Sequence, residues 1–327
     1  MAELPDFDAL RSTHLGLVGI ISMGDMGSGI ARLLVAHGYA VLTNVSDRSE
    51  DTQSRARDSG AILLPSDEPL VQHADLILSI VPPAEAYPTA KRILLASVDD
   101  REKRGKRGWY YADLNALSPS TLVSLSSLFN PLPHVNLIDG SILGGPPAFV
   151  DGEWTRPVIP TSGPVSLSGV LPGLGEVLRE KYISSDLGRA SGLKMVFASL
   201  SKGYAAVALQ AVTTARQLGV LPELLESVAE VQGEQAAKRL ERAVTGLAPK
   251  AGRWVREMEE IGLTHRENGG WGGEHGIFEA AARIYSTVAH ETVLGREKIG
   301  KRERGTTVEG VAGAVAEGLG KRTGKGE

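Results

Sequence analysis

Residues 14–31 read HLGLVGIISMGDMGSGIA. The apolar run Leu15, Leu17, Val18, Ile20, Ile21 ends at a turn holding Ser22, Gly24 and Gly27, and Ser28–His37 then has the pattern of a helix. Strand, tight glycine turn and helix bring backbone N–H groups and the positive end of a helix dipole to one point. That geometry holds a pyrophosphate, so the stretch points to a dinucleotide site in a doubly wound α/β domain. In the fingerprint G-x-G-x-x-G the first glycine makes the turn, the second lets phosphate approach, and the third lets helix pack on strand. Gly24 and Gly27 take the second and third places, Asp25 and Met26 lie between them, and Ser22 stands first. Serine is a common turn residue and can serve there. A glycine-rich turn without a ligand is the alternative.

The same alternation continues outward. Strand candidates are Leu15–Ile21, Ala40–Val45, Leu76–Val81, Trp109–Leu114 and Val135–Asp139; helix candidates are Ser28–His37, Ser49–Ser59, Ala84–Ala96 and Pro119–Phe129. Gly38 and Gly60 stand where helix C-caps belong, and Ser118-Pro119 supplies an N-cap with proline at the first helical position. Such alternation predicts a parallel sheet covered on both faces. Asp99–Gly108, DDREKRGKRG, has no interleaved aromatic residue and is expected to be a solvated loop. The proline- and glycine-rich Gly140–Gly175 holds one more strand candidate, Arg156–Thr161, and ends the first domain.

From Leu187 the texture changes. Gly188–Leu218 is expected as one long helix whose buried stripe is Leu193, Val196, Phe197, Leu200, Tyr204, Val207 and Ala208. Helices are expected at Leu221–Val244, Pro249–Ile261 and Gly276–Leu294. The expected architecture is a Rossmann-type doubly wound sheet domain over residues 1–186 and an all-α domain over 187–300, with a fraying tail over 301–327.

Bulk properties narrow the function. The 327 residues are 42% hydrophobic and 23% charged, with a net charge of −4. That composition suits a globular chain of two domains and lacks the basic excess of a general nucleic-acid binder. There is no cysteine, which excludes disulfides, thiolate catalysis and Cys-ligated zinc. The N-terminal MAELPDFDALRSTH has no apolar signal core, and no apolar run reads as long enough to span a bilayer, so a cytoplasmic location without a membrane partner is expected. His265, Glu274 and His275 fit no standard metal-ligand spacing, and no metal is expected.

Cofactor choice turns on the end of the second strand, Thr43–Ser49. NAD sites place a carboxylate there for the ribose diol, whereas NADP sites add a cation for the 2′-phosphate. Asn44 holds the deciding position, with Arg48 and Ser49 just beyond, which favours NADP; Asp47 keeps NAD open.

Four stretches occur in order along the chain: SMGDMG (22–27), DLNALSP (113–119), DGSILGG (139–145) and SDLGRASGLK (185–194). Together they resemble the motifs of the β-hydroxyacid dehydrogenase superfamily, which includes 6-phosphogluconate and 3-hydroxyisobutyrate dehydrogenases, with the imine reductases as close relatives. RWVREMEEI (253–261) looks like the branch with its own 6-phosphogluconate-dehydrogenase-like C-terminal helical domain. The resemblance implies that Lys194 is the catalytic lysine, and that Ser141, Leu143, Gly144 and Gly145 form a substrate loop. From their places at strand ends, where α/β ligands bind, Asn115 is expected to meet nicotinamide or substrate, with capping of the next helix as the alternative, and Val81, Pro82 and Pro83 are expected beside the adenosine ribose or the pyrophosphate. Ser201 and Glu257 are the candidates for further substrate contacts, Glu257 toward a cationic group.

Two departures stand out: Ala198 replaces the family's asparagine four residues after the lysine, and Leu143 replaces its serine before the double glycine. The implied activity is NADP-dependent interconversion of hydroxyl and carbonyl on a small molecule, by a homodimer joined through the helical domain. Imine reduction and non-catalytic dinucleotide binding are the alternatives.

Overall fold

A computed structural model describes residues 4–97, 108–272, 276–297 and 302–323. Most of the Asp99–Gly108 loop, together with Glu274 and His275, lies outside the described residues. The chain divides into two compact units, Met1–Lys194 and Met195–Glu327.

The first unit is built around β1 (Leu17–Ile21), every residue of which is buried. Successive side chains of a strand point to opposite faces. Val18 and Ile20 accordingly join one apolar cluster, and Leu17 and Ile21 join another. A strand covered on both sides must be apolar throughout, which is why this run is unbroken. The elements follow as α1 (Phe7–Thr13), β1, α2 (Asp25–Ala36), β2 (Ala40–Asn44), α3 (Glu50–Asp58), β3 (Ile62–Leu64), α4 (Asp67–His73), β4 (Leu76–Ser79), α5 (Pro83–Ala96), β5 (Trp109–Asp113), α6 (Pro119–Ser126) and β6 (Val135–Gly140). The strands pair in parallel in the order β3-β2-β1-β4-β5-β6. This is the doubly wound order, and its direction reverses between β1 and β4, where ligands of such sheets bind at the carboxyl ends.

The sheet extends beyond β6. After a hairpin of β7 (Ala148–Val150) and β8 (Glu153–Thr155), β9 (Ile159–Ser162) runs antiparallel to β6. Two four-residue helices, α7 (Leu167–Val170) and α8 (Leu174–Val177), lead to β10 (Glu180–Ser184), which lies parallel to β9 at the edge.

Helix α9 (Arg189–Ala198) starts in the first unit and crosses the division, which falls eight residues after the expected boundary at 186/187. A π turn, Ser199–Gly203, joins it to α10 (Tyr204–Leu218). The second unit is helical, with α11 (Leu221–Gln232), α12 (Glu234–Thr245), α13 (Ala251–Gly269), α14 (Ile277–Glu291) and α15 (Val308–Thr323). By length and composition alone Arg189–Leu218 could cross a membrane, but it buries Met195, Ala205, Leu209 and Val212 as a core helix does.

Three expectations need correction. The helix expected over Leu221–Val244 is two, α11 and α12, broken at Gly233, whose φ is +86°. The tail over 301–327 does not fray throughout: it holds α15, whose Val308, Val311, Ala312 and Val315 recur at helical spacing and are buried. The expected buried stripe on the long helix is largely exposed, at 49% for Phe197, 72% for Leu200 and 59% for Val207. Spacing identifies an apolar face; it does not say whether that face meets the core or a second chain.

Candidate active site at the carboxyl edge of the sheet

The loop after β1 is tight. Ser22 adopts φ +75°, a left-handed conformation costly for a residue with a Cβ, which explains the preference for glycine at this place in the fingerprint. Gly27 faces the same loop: a Cβ there would stand 2.0 Å from the Ser22 carbonyl oxygen. Gly24 caps α2 with no side-chain hydrogen bond, and a Cβ on it would meet nothing within 4 Å. The first turn of α2, with Asp25 exposed and Met26 half-buried, thus opens onto free space. That is the arrangement an anion needs at a helix N-terminus. Arg55 of α3, which the sequence reading missed, donates from Nε to the Met23 carbonyl at 3.3 Å and braces the loop from the side.

At the end of β2 the Asn44 amide is engaged, donating to Asp67 at 2.8 Å and accepting from the Ser46 N–H and hydroxyl. Arg48 is exposed, with Nε 3.3 Å from Asp47. Ser49 precedes α3, and its hydroxyl lies 3.2 Å from that of Thr52. Arg48 and Ser49 thus follow the carboxyl end of β2, while the Asn44 side chain shapes the turn.

Two expected contact residues make hydrogen bonds within the frame of the fold. Asn115 is buried; its Oδ1 accepts from the Val81 N–H at 2.6 Å, and its amide donates to Ser79 at 3.2 Å and to Asp113 at 2.9 Å. It ties the end of β5 to the Val81-Pro82-Pro83 turn, where Pro82 caps α5 and Pro83 begins it. Ser141 is also buried, and its hydroxyl donates to the Ala190 carbonyl at 3.1 Å. Leu143 is locked by paired backbone bonds with Val158, while Gly144 and Gly145 are exposed.

Lys194 meets this loop directly, its ammonium donating to the Ile142 carbonyl at 2.6 Å. The loop continues to Pro147, and Gly29 of α2 passes so close that a Cβ would stand 3.1 Å from Pro147. Lys194, the 142–147 loop and α2 are therefore linked by contact.

The start of α9 is held by Asp139, a group whose role residue type alone did not reveal. Its carboxylate accepts from the Gly188 N–H at 2.9 Å, the Ser191 N–H at 3.1 Å, the Ser191 hydroxyl at 2.6 Å and the Ser162 hydroxyl at 2.8 Å. Burial raises its pKa despite these bonds. Beside it on β5, burial pushes the Asp113 carboxyl up to about 7, the two bonds from Asn115 opposing and Asp139 adding. The folded state therefore holds a proton on Asp113 that the unfolded chain releases near pH 4. Stability from this group is full at low pH and falls as pH rises from about 4 through 7, by about 1.4 kcal/mol per pH unit. Urea denaturation from pH 5 to 8 should show that decline, and Asp113→Asn should flatten it. An unchanged slope in the variant would refute the protonated carboxyl.

Residues 17–103 match the family model described as NADP oxidoreductase coenzyme F420-dependent, and residues 215–288 match Domain of unknown function (DUF1932). An uncharacterised 28.5 kDa protein of Methanothermus fervidus is 26% identical over 246 residues, 75% of this chain and 88% of its own length. Human mitochondrial 3-hydroxyisobutyrate dehydrogenase is 28% identical over 142 residues, 42% of this chain but 39% of that protein. The crystal structure of 3-hydroxyisobutyrate dehydrogenase from Salmonella typhimurium shares the fold, with a TM-score of 0.64 at 18% identity over 91% of this chain and 99% of that one. The chain is thus similar to 3-hydroxyisobutyrate dehydrogenase over 142 residues and to the DUF1932 model over residues 215–288, in a fold shared with the Salmonella enzyme. A variant imine reductase from Myxococcus stipitatus, solved with NAD+, has the same fold at a TM-score of 0.53 and 18% identity over 93% of this chain and 99% of that one.

In the helical unit, Ser201 lies in the π turn and donates to the Ala198 carbonyl at 3.2 Å. The Tyr285 hydroxyl donates to the Lys202 carbonyl at 2.5 Å, satisfying a group in a turn where the regular helical ladder is interrupted. Glu257, expected to meet a cationic substrate, is buried and ion-paired with Lys202 and, at 3.2 Å, with Arg253. Its charge is already matched inside the unit. Trp254 packs edge-on against Tyr285, and Met258 is fully buried. Among the described residues no group of three or more His, Asp or Glu side chains could hold a metal ion.

Proposed function

We propose that the chain is an NADP-dependent oxidoreductase that interconverts a hydroxyl and a carbonyl on a small molecule, with Lys194 carrying the proton. The observation that carries this reading is the Lys194 ammonium on the Ile142 carbonyl, in the loop that packs against α2 beside the glycine turn. The residues present fit a dinucleotide: Gly24 leaves open space over the first turn of α2, and Gly27 admits no side chain. A nicotinamide bound there would supply the hydride donor or acceptor. Lys194 would give its proton to the carbonyl oxygen in reduction and take the hydroxyl proton in oxidation. The exposed Gly144 and Gly145 would offer N–H groups to an acceptor on the substrate.

Arg48 with Ser49 would bind a 2′-phosphate. NADPH should therefore bind about tenfold or more tightly than NADH, a difference of about 1.4 kcal/mol. Arg48→Ala should narrow the gap, as read by quenching of tryptophan fluorescence. Equal affinities in the native protein would contradict the assignment, and binding of neither coenzyme would contradict the whole reading. Imine reduction is the second reading: Ala198 and Leu143 leave out the amide and hydroxyl that the resemblance expects around a hydroxy acid.

We infer further that the protein is a homodimer. The exposed Phe197, Leu200 and Val207 give the helical unit an apolar face suited to a second copy. Light scattering should give twice the 34.6 kDa chain mass at micromolar concentration. A monomer there would refute the dimer.

A further inference from the structure

The chain carries a net charge of −4, yet one cavity of the helical unit is cationic. It measures about 310 Å³ and is lined by Lys202 of the π turn, Arg239 and Arg242 of α12, Lys250 at the start of α13, and the Trp254 ring. Among the described residues no carboxylate lines it. Glu257 is paired with Lys202 and Arg253. Two ammonium groups share the Trp254 ring, Lys202 at 5.5 Å and Lys250 at 6.0 Å from its centroid, and the Arg239 guanidinium lies 4.3 Å over the Tyr204 ring. Lys202 is neutralised by Glu257, whereas Arg239 and Lys250 are oriented by aromatic rings with no ion pair among the described residues. Burial lowers the Lys250 pKa, and Arg253 and Arg302 lower it further.

Like charges gathered in a partly desolvated space repel, at a cost that an incoming anion removes. Two guanidinium groups offer planar forks of N–H donors matched to phosphate or carboxylate oxygens, and the Lys250 ammonium adds a point charge. We propose that the cavity lined by Arg239, Arg242 and Lys250 binds the oxyanion, phosphate or carboxylate, of a small molecule, with Trp254 as one wall. The site lies wholly within the helical unit. It does not rest on the oxidoreductase reading and stands whether or not the chain turns over a nicotinamide.

The test uses the full chain without coenzyme. Titration with orthophosphate should raise the melting temperature and perturb Trp254 fluorescence. Arg239→Ala with Arg242→Ala, both exposed, should weaken orthophosphate binding at least tenfold, while Arg239→Lys with Arg242→Lys should retain most of it. Independently of these variants, the indole ¹⁵N–H resonance that disappears in Trp254→Phe should shift on orthophosphate titration. Glycerol 3-phosphate and citrate form the second arm. Tighter binding of either than of orthophosphate assigns the site to an organic anion, and the reverse order assigns it to the free ion; both support the proposal. A Trp254 resonance unmoved by all three anions overturns it, as does phosphate stabilisation equal in the native protein and the double alanine variant.

Discussion

Lys194→Ala should lower kcat by about a thousandfold, in the range lost when a positioned acid or base is removed. The ammonium sits on the Ile142 carbonyl, and the turn that launches α9 is held by Asp139 through Gly188 and Ser191. Truncating the lysine leaves those bonds in place, so the fold and the NADPH affinity should be nearly unchanged. A drop in kcat with constant coenzyme affinity is what a proton carrier predicts. Turnover within threefold of the native protein would remove Lys194 from the chemistry and leave imine reduction, or binding alone, as the better account.

Gly27→Ala should lower NADPH affinity at least a hundredfold, about 2.7 kcal/mol at about 1.4 kcal/mol per tenfold. Its Cβ would stand 2.0 Å from the Ser22 carbonyl oxygen, and a backbone atom in a strained turn cannot step aside as a flexible side chain does. The loop must move, carrying the N–H groups of α2 away from their target, and the melting temperature should fall as well. Gly24→Ala makes the informative contrast. Its methyl meets nothing in the protein, so stability should hold, but it would occupy the space left for the phosphate and weaken NADPH binding alone. If calorimetry finds both variants bind NADPH as the native protein does, the pyrophosphate does not lie on this turn.

The central sheet was legible in the sequence because its strands are buried on both faces. β1, β2, β4, β5 and β6 each fall within one or two residues of their expected ends. The edges were not. β3 has three residues, β10 is half exposed and shows no apolar run, and the β7–β8 hairpin is exposed along most of its length. α1 depends on Asp6, whose carboxylate accepts from Asp8 and Ala9 at 3.0 Å, a capping signal inside a stretch that reads as merely polar. In α15 the valine spacing was present, but glycine and charge around it looked like a tail.

The candidate site divides in the same way. Its glycines were readable because backbone geometry demands them. The polar residues were readable as residues with hydrogen-bonding capacity, not by partner. Asn115 spends its carbonyl on Val81, Ser141 its hydroxyl on Ala190, and Glu257 its charge on Lys202, each at a long sequence separation that only the fold closes. Asp139 stood in a quoted motif, yet its work depends on Ser162 and Ser191, which no spacing rule connects to it.

The most direct test of the account is a crystal structure of the full chain grown with NADPH. The account predicts the pyrophosphate on the N–H groups that follow Gly24, the 2′-phosphate beside Arg48, and the Lys194 ammonium within hydrogen-bond reach of the space in front of nicotinamide C4. Coenzyme bound away from the glycine turn, or Lys194 directed to solvent while the nicotinamide is in place, would contradict it.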